Sequence, residues 1–443
     1  MCKLSFALVP ILLSAQQTPS LNDILERLNR VERENAALRQ EVEQLRGEIS
    51  TLKGSPIQPP SVQELSERME VQERRTEEQA ATKVEASQRF PIRLSGMVLS
   101  NLFHNGPHSG GNDTPLTASR AVGRQTGGVT FRQSVIGLEF QGPRAFLGAQ
   151  VKANAFFDFF DTLAETNNYY PIRFRTGGIS LDWKTRSLSV VQEKPLFSQR
   201  DPTAFSYSGI SPLTASGNLW RWQPQVRFEQ RAALGPNSQA RLQFALIQTS
   251  EEAGFDFAGR GLTFERRRPG VEGRFELAHK FDEERRIEIA PGFHASESHV
   301  SGQSPGSFLF SVDWFVAPLP KLNFSGDFWT GHNVHHFGAL RQAFNVLPDG
   351  RIAAVESKGG WGQATVLLTD RLSLNAYAGI HDDRNLDILR TGIAANRSGA
   401  VNAIYKIAPN VILSLEALQI RTTYRDIGTR IHNRYDLSVA YLF

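Results

Sequence analysis

Two hydrophobic periods divide the chain. From Leu21 to Leu52 apolar residues recur at alternating steps of three and four. With Leu21 as a, the a positions read Leu21, Leu28, Asn35, Val42 and Ile49, and the d positions Ile24, Val31, Leu38, Leu45 and Leu52. Five heptads with a single polar seam residue predict a coiled coil. The g residues and the following e residues pair Arg27 with Glu32, Glu34 with Arg39, Glu41 with Arg46 and Glu48 with Lys53. All four pairs are opposite in sign, as parallel self-association favours, and Asn35 fixes register at some cost in stability. A single amphipathic helix lying on a globular body would need a wider apolar stripe. The segment is therefore read as an oligomerisation element, with two or three strands left open. Pro56, Pro59 and Pro60 break the helix. Val62, Leu65 and Met69 resume the heptad before Gln72, Thr76, Gln79 and Lys83 dilute it, which predicts a short spacer helix fraying towards Arg89.

From Phe90 the period becomes two. Along 145–159, Ala145, Leu147, Ala149, Val151, Ala153, Ala155, Phe157 and Phe159 share one face, and Gln150, Lys152, Asn154 and Asp158 the other. Gln225, Arg227, Glu229 and Arg231 alternate with Val226 and Phe228. Glu272, Arg274, Glu276 and Lys280 oppose Val271, Phe275 and Leu277. An apolar face backed by a polar one over such lengths is expected where lipid lies outside and water inside. A soluble sandwich also alternates, but in strands of about five or six residues.

The pattern predicts sixteen strands, near 90–100, 129–141, 145–160, 172–184, 186–193, 224–232, 239–249, 270–281, 285–296, 307–317, 321–329, 360–369, 371–381, 397–407, 411–421 and 430–443. Their connections are mostly long from odd to even strands (101–128, 161–171, 194–223, 250–269, 330–359, 382–396). From even to odd they are short: Gly142-Pro143-Arg144, Thr185, Asp282-Glu283-Glu284, Pro318-Leu319-Pro320, Asp370 and Ala408-Pro409-Asn410. An even strand count with long loops on one rim and tight turns on the other predicts an all-β transmembrane barrel, preceded by the α-helical coiled coil. One parity conflict stands out. Ile179, Leu181 and Trp183 make odd positions lipid-facing, yet Arg173 and Arg175 share that parity; a bulge at Gly177-Gly178 or a position above the membrane would resolve it.

The start of the chain reads as an address. Lys3 supplies a positive flank, Leu4–Leu13 an apolar run, and Ser14-Ala15 a cleavage site with Leu13 a weak match at −3. The expected layout is a leader at 1–15, a periplasmic coiled coil at 16–55, a spacer with a short helix at 56–89 and an outer-membrane barrel at 90–443. Beyond the leader, no stretch offers the roughly 18 apolar residues of a spanning helix, and mean hydropathy is −0.31. The single cysteine, Cys2, lies in the leader, so the remaining chain has no disulfide or thiolate metal site. A net charge of +4 is too balanced for a dedicated nucleic-acid binder.

The chain finishes with Tyr435, Leu437, Val439, Tyr441 and Phe443 in strict alternation. An aromatic at the end of a closing strand suits the interfacial girdle, and Tyr441 and Phe443 are read as an assembly signal. This ending looks like the signal by which bacterial outer-membrane proteins are recognised for insertion. With the leader, the coiled coil and sixteen strands, the chain resembles the bacterial porins, and among them the phosphate-selective porin O/P type and the DcaP-like porins. The resemblance implies a homotrimer in outer-membrane lipid with a constricting third loop. It fixes no solute, and no arginine ladder of the phosphate-selective type is matched here residue by residue.

If the polar parity faces inward, the lumen holds Lys152, Arg227, Arg231, Arg274 and Lys280 with Asp158, Glu229, Glu272, Glu276 and Asp313. Residues 90–443 carry 37 Lys and Arg against 31 Asp and Glu, a surplus that favours anions mildly. The third long connection adds Lys194, Arg200 and Arg221 against Asp201, with Phe197, Phe205, Tyr207, Trp220 and Trp222. It is either a basic, aromatic constriction folded into the lumen or an external loop packing a neighbouring protomer. The expected function is passive diffusion of small hydrophilic, preferably anionic solutes, with no cofactor or metal. His332, His335 and His336, and His381-Asp382-Asp383, read as parts of solvated loops. Arg266-Arg267-Arg268 is read as a contact for anionic lipid headgroups at the rim, with a solvated turn as the alternative. Gly302-Gln303-Ser304-Pro305-Gly306 matches G-x-S-x-G, but between two strands it is a turn, not a nucleophile elbow. A barrel-borne lipid hydrolase and a tether whose coiled coil binds cell wall or a partner are the alternatives.

Overall fold

The computed structural model describes residues 92–160, 170–248, 269–299, 302–340, 344–346, 349 and 351–443. The expected leader, coiled coil and spacer lie outside these residues, as does the Arg266–Arg268 run. The barrel belongs to the second of two units, Arg89–Phe443. Its sixteen antiparallel strands begin with β1 (Ile92–Asn105), β2 (in two segments, Thr126–Thr130 and Val135–Ala145), β3 (Ala149–Asp158) and β4 (Arg173–Asp182). Next come β5 (Arg186–Glu193), β6 (Gln223–Ala233), β7 (Ser238–Ile247) and β8 (Gly270–Lys280). They continue with β9 (Arg286–Glu297), β10 (Gly306–Leu319), β11 (Leu322–His332) and β12 (Glu356–Leu367). The last four are β13 (Leu372–Asp383), β14 (Ile393–Ala408), β15 (Val411–Tyr424) and β16 (Gly428–Leu442).

Each strand pairs with its sequence neighbours, and β16 closes on β1 with Leu102 opposite Leu437 and Val98 opposite Tyr441. Gly96 and Phe443 exchange backbone hydrogen bonds of 2.9 and 3.1 Å, so the terminal aromatic completes the seam. Closure removes the edges that would otherwise template aggregation. Val190, Phe228, Phe275, Phe310, Val401 and Leu415 lie exposed on the outer face of their strands, around the whole circumference. Soluble monomers rarely expose more than a few hundred Å² of contiguous apolar surface, so this belt is built for lipid.

The sixteen expected strands form, with shifted ends. The turn placed at Gly142-Pro143-Arg144 belongs instead to β2, which continues through a register shift between Gln141 and Arg144 to Ala145. The reversal falls at Phe146–Gly148, where Leu147 and Gly148 take positive φ of 52° and 76°. Glycine adopts that conformation without the steric cost of a Cβ. Leu147 therefore lies in the turn, outside the strand expected over 145–160. Pro318 likewise sits within β10, at a shift between Val316 and Leu319. The parity conflict in β4 is resolved by a register shift opposite Phe156 and Phe157, where Thr176 and Phe174 are the partners and Arg175 is left over. The bulge falls at Arg175, not Gly177-Gly178, and sends both arginines to Asp158 on the inner face.

Candidate pore and constriction

The connection from β5 to β6, residues 194–222, folds into the lumen. Its apolar residues Leu196, Phe197, Leu213 and Leu219 are fully or nearly fully buried. Strands from nearly the whole circumference bind it. Gln133, in the interruption of β2, donates to the Ser206 carbonyl at 2.7 Å and accepts from the Gly209 N–H at 2.9 Å. The Leu196 N–H donates to Glu272 at 2.7 Å, Ser311 donates to the Phe197 carbonyl at 2.7 Å, and Trp329 to the Gly217 carbonyl at 2.7 Å. Asn402 donates to the Thr203 carbonyl at 2.7 Å, while Ser206 donates to Glu416, which also accepts from Tyr377 and Asn402. Buried backbone groups of a loop need such partners, because each one left unmade costs about 1–3 kcal/mol. Alternate polar residues on the inner face supply them.

The connection after β11 joins this plug. His335–Phe337 form a short 3-10 turn whose Phe337 carbonyl accepts from the Trp220 and Arg221 N–H groups at 2.9 and 3.2 Å. His336 and Phe337 are buried, which corrects the expectation of a solvated histidine loop: the segment packs its rings onto Phe197 and His294 instead. His381, at the end of β13, is also buried, at 2.7 Å from Asp383. No group of three or more potential metal ligands occurs among the described residues. A short hairpin, Phe344–Val346 with Ile352–Ala354, was not foreseen.

Towards the short-turn rim, inward charges of β3 to β10 join in one alternating chain. Lys152 pairs with Asp182 at 2.9 Å, Asp182 with Arg231 at 2.6 Å, and Arg231 with Glu229 at 3.1 Å. Arg241 bridges Glu229 and Glu276 at 3.7 and 2.6 Å, and Arg274 bridges Glu276 and Asp313 at 2.7 Å each. Arg200 of the loop then links Asp313, at 3.1 Å, to Glu288, which Arg286 reaches at 2.8 Å. Six cations thus alternate with five acids. Exposure is uneven: the Lys152, Arg286, Arg231 and Arg241 side chains are 50, 46, 37 and 36% exposed and Asp182 26%, whereas Arg200, Glu288, Glu229, Glu276, Arg274 and Asp313 are 21, 19, 12, 5, 2 and 0%. The four most exposed members are all cations, while Arg200 and Arg274 lie deeper, among the acids.

Lys152, Arg200, Glu229, Arg231 and Arg274 from the sequence reading meet in this chain. Lys194 pairs instead with Asp201 inside the loop, and Arg227 donates to the Lys194 carbonyl at 2.9 Å and to Gln225. Arg221 stands apart, beside Phe337. Asp182, Arg241, Arg286 and Glu288 were missed. Their signal was present, since Gln239, Arg241 and Gln243 alternate with Ala240, Leu242 and Phe244, and Arg286 and Glu288 with Ile287 and Ile289. Above the chain, Asp158 accepts from Arg173 at 2.6 Å and Arg175 at 3.1 Å, and both guanidinium groups lie over Trp222 at 5.2 and 4.8 Å.

One array resembles catalytic machinery. Ser296 lies 2.8 Å from Nε2 of His294, whose Nδ1 is 3.2 Å from Glu272. The second Glu272 oxygen is already taken by the Leu196 N–H, and the Phe197 and Phe337 rings pack on the imidazole, with centroids at 6.1 and 4.6 Å. These residues clasp the loop. Ser304 of the G-x-S-x-G match lies in the connection between β9 and β10, as the turn reading expects.

The geometry defines a closed sixteen-stranded barrel narrowed by an internal loop. Its fold is that of the outer membrane channel DcaP of Acinetobacter baumannii, with a TM-score of 0.64 and 15% identity over 80% of this chain and 97% of that one. A porin structure refined at 1.8 Å aligns at TM-score 0.47 with 11% identity, covering 80% of this chain and 100% of that one. The trimer form of OmpT, a Vibrio cholerae outer membrane protein, aligns at 0.48 with 8% identity, covering 80% and 99%. No family model and no curated protein matches the sequence.

Proposed function

We propose that the chain is an outer-membrane porin, passing small hydrophilic and preferably anionic solutes by passive diffusion, with no enzymatic activity. The observation that carries the reading is the inner wall of β3–β9, where the four most exposed members of the ion chain, Lys152, Arg231, Arg241 and Arg286, are all cations. A basic wetted surface raises the local concentration of permeating anions, and arginine's planar fork suits carboxylate and phosphate groups. In this reading Lys152, Arg231, Arg241 and Arg286 line the path on the periplasmic side of the plug. Lys194, Arg227, Arg173 and Arg175 flank the narrow stretch beside the loop, and Arg200 and Arg274 hold the loop's base. Tyr441 and Phe443 serve assembly, and the coiled coil oligomerises the chain from the periplasm. Planar-bilayer recording tests the proposal. Discrete conductance steps with a reversal potential on the anion side of a KCl gradient are expected; an electrically silent barrel would favour the tether.

A further inference from the structure

The outer face carries a feature that neither the pore nor the plug uses. Arg397 on β14 and Arg421 on β15 are directly paired in register, and both are exposed on the lipid-facing parity shared with Val401 and Leu415. Neither has an acidic partner among the described residues. Arg421 Nε donates to Gln419 at 2.7 Å, and Gln419 donates to Asn433 at 2.9 Å, so a fixed amide pair orients one guanidinium. Like charges directly opposite destabilise a strand pair, and at a membrane surface the effect is strengthened by the low dielectric nearby. An anion between the two groups removes that penalty.

The surface beside the arginines is hollow. Three overlapping hollows of about 570, 600 and 700 Å³ run along the outside of β12–β16. The first, at the arginines, shares Gly362, Ala378, Gly399 and Gln419 with the second; the second shares Ala376, Val401, Ala417 and Tyr435 with the third. The groove thus starts at two cations towards the long-loop rim and becomes apolar towards the short-turn rim, ending at Val366, Leu374 and Leu415. A charged head with an apolar slot leading into the hydrocarbon matches an anionic amphiphile and nothing that is uniformly polar or uniformly oily.

We propose that this groove binds a phosphorylated lipid of the outer leaflet, its phosphate bridging Arg397 and Arg421 and one acyl chain lying over the glycine and alanine floor. The site rests on the reading of the outer face as lipid-facing and is independent of what permeates the pore. The test is native mass spectrometry of the full chain in a zwitterionic detergent, titrated with diphosphoryl lipid A or with dioleoyl phosphatidylcholine. The parent should retain lipid A in preference to phosphatidylcholine. Arg397→Gln with Arg421→Gln should weaken retention about thirtyfold, from roughly one kcal/mol per basic residue at a lipid surface. Ala378→Phe, which keeps both charges and obstructs the floor, should weaken it as well. Equal retention by the parent and the double variant, or equal retention of the two lipids, overturns the site. So does a double variant that keeps its lipid but changes oligomeric mass, since the groove is then an interface between copies. Bilayer conductance separates the two proposals: a double variant that conducts like the parent yet loses lipid A supports the site, whatever ion the pore prefers.

Discussion

At the scale of single residues, the ion chain divides into groups that tune permeation and groups that hold structure. Arg231 and Arg241 are more than a third exposed, so salt and solvent screen their charges more than that of a buried member. Converting both to Glu leaves four cations facing seven acids on that wall. The anion-to-cation permeability ratio should then fall several-fold, read as a reversal potential displaced towards the cation side, with some loss of thermal stability because the little-exposed Glu276 and Glu229 then face like charge. Arg274 is the opposite case, 2% exposed and bound to Asp313, Glu276 and Gln243. Arg274→Met leaves buried carboxylates short of a partner and should cost about 3–5 kcal/mol, seen as earlier loss of heat-modifiable mobility on gels. His336 supplies a pH dependence. Burial, then the nearby His294, His335 and Arg221, hold its imidazole well below the usual value. The folded state therefore binds fewer protons than the unfolded one once pH falls below about 6.5, and stability declines as pH drops through that range. Because this histidine sits in the plug, acidification to pH 5 should loosen the plug first and raise open-channel current noise. His336→Gln should remove that dependence, and an identical pH response in the variant would refute it.

At the scale of elements, the wall was legible and the plug was not. Strand positions, parity and the long-short alternation of connections follow from a local rule, period two between lipid and water, that every β residue obeys on its own. Asp182 and Arg286 obey it too and could have been found. The turn at Phe146–Gly148 was misplaced because Pro143 and Gly142 look like turn residues, while the decisive property, a positive φ at Gly148, leaves no unique trace in composition. The path of residues 194–222 depends on contacts with strands up to 210 positions away, such as Ser206 with Glu416. No periodicity records such contacts, so sequence alone left the loop equally open to an external position. Gly217 shows how tightly it seats. Its φ is 108°, and a Cβ there would lie 2.2 Å from the Gly360 carbonyl oxygen and 2.6 Å from that of Ile380. Gly217→Val should therefore unseat the middle of the loop, leave the barrel closed, and raise single-channel conductance. Unchanged conductance in a well-folded variant would mean that the loop does not set the limiting cross-section.

At the scale of the whole molecule, a barrel closed by Phe443 and Gly96 needs no second copy to satisfy its strands. Any assembly must therefore draw its free energy from elsewhere. The heptads read in the sequence at 21–52 are the proposed source, and their seam is testable within the full chain. Val31→Glu with Leu38→Glu places like charges at two consecutive d layers flanking Asn35, where seam residues must be desolvated together. If the coiled coil is what joins the chains, chemical cross-linking in detergent should then collapse from the oligomer to a single-chain band. The barrel should keep its resistance to thermal unfolding, because its hydrogen-bonded ladder is complete within one chain. Conductance distinguishes the consequences: steps that open in fixed multiples for the parent should become single and independent, with ion preference unaltered, since the basic wall of β3–β9 lies entirely within one lumen. Persistence of the oligomer in this variant would move the assembly surface to the lipid-facing wall and leave the heptads without a part in assembly.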